Sequence, residues 1–122
     1  MLINAVKEIQ ELSFCCISKD SFEQAREIEP LEQVIDRLCK TVKGRHVIRL
    51  QENKCTMEQG FILTDIVTDL ERVADHCSNI AACFIEISKH NTMEMHEYLK
   101  KYRGDSEEFS ELFEKYRRKY SL

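Results

Sequence analysis

Apolar residues recur along this chain at three- and four-residue intervals, the spacing that places them on one side of an α-helix. The first run, over residues 3–17, carries Ala5, Val6, Ile9, Leu12 and Cys16 and stops at Ser18-Lys19-Asp20-Ser21, a cluster suited to caps. A second helix is predicted to open at Asp20 or Ser21, where Asp20-x-x-Glu23 has capping-box spacing. It keeps Ile28, Leu31, Ile35, Leu38 and Val42 on one stripe until Glu52-Asn53. Pro30 has no amide hydrogen to donate, and at Gly44 the apolar phase slips to Val47, Ile48 and Leu50, so kinks or a split at Pro30 are expected.

Thr56-x-x-Gln59 is a second capping-box pattern and opens the most regular helix, expected over residues 57–89, with Ile66, Leu70, Val73, Cys77, Ile80 and Phe84 on its apolar stripe. Asn91 and Thr92 can cap a fourth helix reaching Arg103. Gly104 supplies a stop, and Asp105-Ser106 restarts a fifth helix bearing Phe109, Leu112, Phe113 and Tyr116. Short connections between long helices favour antiparallel neighbours. The expected fold is therefore all-α: an antiparallel three-helix bundle over about residues 1–90, with C-terminal helices over about 92–120 packed on its outside. Residues 1–122 then form one domain, a size that suits a single core.

Composition narrows the function. Three glycines and one proline suit helices rather than a many-stranded sheet, and a net charge of −4 argues against a nucleic-acid binder, which needs a basic face. Residues 100–122 are locally basic, which reads as a solvated helix face rather than a lipid-binding tip. Six cysteines (Cys15, Cys16, Cys39, Cys55, Cys77, Cys83) form no CxxC pair, and no signal peptide precedes them, so a cytoplasmic location with reduced thiols is expected. No apolar run approaches the ~20 residues of a membrane-spanning helix.

The candidate chemistry lies in two E-x-x-x-D spacings, Glu32 to Asp36 and Glu71 to Asp75. Carboxylates four apart share a helix face. On a helical wheel Glu71, Asp75, Asn79 and Thr68 fall opposite the apolar stripe of their helix, while Glu29, Glu32 and Asp36 lie off theirs. If the two helices are antiparallel neighbours, the acidic patches converge on one outer groove, where facing carboxylates repel unless cations lie between them. Oxygen ligands on facing helices can hold divalent or trivalent metal. The competing reading is an ordinary solvated acidic face, with Arg37 and Arg72 as ion-pair partners.

His46, Cys55, His76 and Cys77 are of zinc-ligand type but lack the spacing of a structural zinc site, and Cys77 sits on the core stripe as a small buried thiol. No glycine-framed nucleophile, phosphate loop or HExxH is present, and no residue takes the role of a general base beside a metal, so no enzyme activity is expected.

The run Leu70-Glu-Arg-Val-Ala-Asp75-His-Cys-Ser-Asn79-Ile80-Ala81 resembles the L-E-R-[IV]-x-D-H-x-x-N-I signature of the PhoU family, and Glu32-x-x-x-Asp36 resembles the acidic motif of its preceding helix. With the context of His46, Arg49 and Cys55, the chain looks most like the PhoU-like domain that follows the membrane part of bacterial sodium/phosphate cotransporters. That resemblance implies metal ligands at Glu32, Asp36, Glu71 and Asp75, with Glu29 and Asn79 as further candidates, for iron, zinc or another divalent or trivalent ion. It also implies a regulatory role in phosphate transport at the inner face of the cell membrane, with the membrane part of the parent sodium/phosphate transporter as partner. PhoU itself carries two tandem three-helix repeats, whereas this chain holds one, so a second copy in a homodimer is a further implied partner. A helical assembly module without metal is the alternative.

Overall fold

A computed structural model describes residues 1–88, 103 and 107–121. Four helices occur among them: α1 (Leu2–Ser18), α2 (Phe22–Gln51), α3 (Met57–Ser88) and α4 (Glu107–Lys119), with no strand among the described residues. The helix expected over residues 91–103, its stop at Gly104 and the restart at Asp105-Ser106 lie outside the described residues, apart from Arg103, which is helical.

The first turn is tight. Lys19 and Ser21 donate backbone N–H groups to the carbonyls of Cys15 and Cys16, and Asp20 takes a positive φ of 51°. The cap of α2 is Ser21, whose hydroxyl accepts from the Gln24 amide at 3.3 Å, so the Asp20-to-Glu23 alternative is not the one used. The α2–α3 turn places Asn53 at φ 57°. The predicted box then forms: Gln59 donates its amide to Thr56 Oγ1, and Thr56 donates its own to Gln59 Oε1.

No split occurs at Pro30, because α2 runs unbroken from Phe22 to Gln51. Proline deletes a single donor, and here its ring is buried with Ile28 and Leu31, which offsets that loss through packing. Gly44 is also passed without interruption, and a Cβ there would meet no atom within 4 Å.

The core draws on every helix: Ala5, Val6, Ile9 and Cys16 of α1, Ala25, Ile28, Leu31, Val34, Ile35, Leu38 and Cys39 of α2, Val67, Ala74, Cys77, Ala81 and Ile85 of α3, and Tyr116 of α4, with Tyr120 just beyond it. Each of the fully buried Ile and Leu side chains contributes about 1.5–3 kcal/mol relative to exposure. Along α2 and α3 the paired positions run in opposite senses: His46 lies against Gly60, the Cys39 thiol reaches the Val67 carbonyl, and Glu29 bonds to Ser78.

Two sequence expectations are corrected. The α3 stripe is rotated in part: Cys77 is buried and Leu70, Val73 and Phe84 pack against the core as expected, but Val67, Ala74, Ala81 and Ile85 are buried too while Ile66 and Ile80 remain 51% and 42% exposed. Helix α3 must face both α1 and α2, and small residues at 74, 81 and 82 allow that close approach. The α4 helix does more than cover the outside: packed on α2, it inserts Tyr116, whose hydroxyl donates to Glu27 at 3.2 Å, and Tyr120 bonds to Glu8 of α1.

Candidate carboxylate site between α2 and α3

The rotation of α3 changes where its carboxylates sit. Glu71 is half-buried in the seam with α2 rather than opposite the core, and Asp36 is half-buried across from it. The two carboxyl groups lie close enough across the seam to interact. Lys40 donates to Asp36 at 2.9 Å from the next turn of α2, and Lys43 approaches Glu71 at 3.5 Å. Burial works against charge on Asp36, but the Lys40 ammonium bonded to it, with Lys43 nearby, outweighs that and holds the carboxyl below its usual range.

Glu29 and Glu32 were expected on an outer groove, yet they are only 3% and 8% exposed. Glu29 is compensated: it accepts from Ser78 of α3 and from the Arg103 guanidinium. Glu32 accepts from Gln33 at 2.8 Å, and burial together with the nearby Glu29 charge pushes its pKa up to about 7. The seam thus carries an ordered series on α2, from Glu29 through Glu32 to Asp36, facing Ser78 and Glu71 on α3.

The remaining candidates do not join it. Asp75 is exposed, and Asn79 lines an apolar hollow with Ile17, Ile80, Phe84 and Ile87 on the α1–α3 side. Among the described residues no three His, Cys, Asp or Glu side chains stand together in ligating range. What the structure supplies toward a metal is the pair Asp36 and Glu71, two hard oxygen donors on separate helices with Glu32 one turn away.

Sequence reasoning assigned the neutralising cations to Arg37 and Arg72. Arg37 instead lies 4.5 Å over the Phe113 ring, and the cations at the seam are Lys40, Lys43 and Arg103. The i,i+4 spacing of Asp36 and Lys40 was a readable signal, whereas Lys43 and Arg103 reach the site only through helix pairing. Cys77 is buried as expected, and burial raises its thiol pKa.

No helix among the described residues is long and apolar enough to cross a membrane. No curated protein and no solved structure gives a match to the chain. The PhoU domain family does match, over residues 2–84. That span takes in α1, α2 and nearly all of α3, with both acidic motifs, and since it exceeds half of the sequence, the chain belongs to the PhoU domain family.

Proposed function

We propose that this chain is a non-catalytic regulatory domain of phosphate transport, acting in the cytoplasm on the membrane part of a sodium/phosphate cotransporter. The family match over α1 to α3 carries this reading. In it, these three helices form one antiparallel three-helix repeat, and the seam between α2 and α3 is the responsive element.

Metal binding belongs to the same proposal. Asp36 and Glu71 already approach each other across the seam, and Glu32, with Asp75 turning in from the exposed side of α3, would complete a set of oxygen ligands suited to iron, zinc or another multivalent ion. Lys40 and Lys43 occupy the charge-compensating positions in the structure, so the cation would compete with two flexible ammonium groups. Uptake of radiolabelled phosphate, compared in cells with the intact chain, without it, and with Glu71 and Asp75 both changed to Ala, tests the regulatory role. Unchanged uptake and unchanged response to phosphate supply in all three would overturn it.

One observation favours assembly as a second reading. Phe14, Ile17, Ile80 and Ile87 are 79%, 57%, 42% and 74% exposed, and the last three border one hollow. Sedimentation of the purified chain decides whether a second copy covers this face.

A further inference from the structure

The corner where α2 turns into α3 holds a second constellation, remote from the carboxylates. His46, only 8% exposed, sits in the last turns of α2, and its Nδ1 lies 3.5 Å from the Sγ of Cys55, just before the Thr56 cap of α3. The other edge of the ring is pressed onto the first turn of α3: a Cβ on Gly60 would fall 2.1 Å from His46 Nε2. The imidazole is thus held by the backbone of one helix and aimed at a thiol that is itself half-exposed.

Three of the other cysteines are sealed from solvent. Cys16, Cys39 and Cys77 are buried, and burial raises each of their thiol pKa values, so they are poor nucleophiles. Cys15 is half-exposed and Cys83 exposed. A nucleophile and a base in hydrogen-bond reach, with the base fixed by its surroundings, is the minimal geometry of an activated thiol.

We propose that Cys55 is an oxidation-sensitive modification site for hydroperoxides, with His46 as its proton acceptor. With the ring proton on Nε2, Nδ1 takes the proton from Sγ. The sulfur attacks the terminal peroxide oxygen, the S–O bond forms as the O–O bond breaks, and the departing hydroxide or alkoxide recovers the proton from Nδ1 as water or alcohol. Sulfur loses two electrons, the peroxide gains them, and the product is a sulfenic acid on Cys55.

The test exposes the folded chain briefly to hydrogen peroxide, traps sulfenic acid with dimedone and measures occupancy at all six cysteines by peptide mass spectrometry. Cys55 is expected to label faster than Cys15 and Cys83, and His46→Gln to slow it by on the order of a hundredfold while leaving Cys83 unchanged. Circular dichroism checks that this variant is folded. The wild-type ranking of the cysteines stands as a test even if it is not. Equal or faster labelling at Cys83 in the wild type, or an unchanged Cys55 rate in a folded His46→Gln variant, would overturn the assignment.

Discussion

Asp36 of α2 and Glu71 of α3 face each other across the helix seam, with Lys40 held to Asp36 at 2.9 Å and Lys43 to Glu71 at 3.5 Å. Two carboxylates so placed gain most from a cation stronger than an ammonium. Changing Glu71 and Asp75 to Ala is expected to abolish stoichiometric metal in protein purified without chelator or histidine tag. Lys43→Met removes a competing charge and is expected to tighten zinc binding by roughly fivefold at most, the value of one partly exposed ion pair. Elemental analysis and titration calorimetry check both, and metal retained by the folded double variant would refute the site.

Glu32 predicts a pH dependence of stability. Burial disfavours its charged form and pushes its pKa in the folded chain from the ordinary 4.5 up to about 7. The folded state therefore holds a proton that the unfolded state releases first. This contribution is complete below about pH 4.5 and is lost as pH rises through about 7, a difference of about 3 kcal/mol for the shift. The lowered Asp36 acts in the opposite sense, its contribution fading in acid. Urea melts of chelated protein between pH 5 and 8 should show stability declining with pH, and Glu32→Gln should flatten that slope.

Gly60→Ala should cost about 1–3 kcal/mol, although alanine is normally the better helix former. The added methyl would meet His46 Nε2 at 2.1 Å, so the ring, only 8% exposed, must shift to make room. In a His46→Ala background the same change should become neutral or stabilising. The contrast is Gly44→Ala, which meets nothing within 4 Å and should stabilise by about 0.5–1 kcal/mol. Thermal melts of the four variants are sufficient.

Tyr116→Ala should cost about 3–5 kcal/mol, as a fully buried aromatic does, because its ring is 1% exposed where α4 meets α2. Tyr116→Phe keeps the ring and loses only the bond to Glu27, so about 1 kcal/mol is expected. If α4 merely lay on the surface, both changes would be silent in a denaturant melt.

The sequence by itself determined the helical character, the turns and the family signature. Periodicity, the Thr56-x-x-Gln59 box and the run from Leu70 to Ala81 are local properties, and local hydrogen bonding realises them wherever the helices go. It also placed Glu32 beside Asp36 and Glu71 beside Asp75 on their own helices.

Tertiary structure decided which of these residues meet. A helical wheel gives an angle but no neighbour, and on α3 only Leu70, Val73, Cys77 and Phe84 of the expected stripe meet the core, since packing against two helices at once selects Ala74 and Ala81 over Ile66 and Ile80. That rotation brings Glu71 to Asp36, leaves Asp75 outside and seats His46 on Gly60 beside Cys55. Such pairings join residues far apart in the chain, and burial then sets their electrostatics, as it does for Glu32.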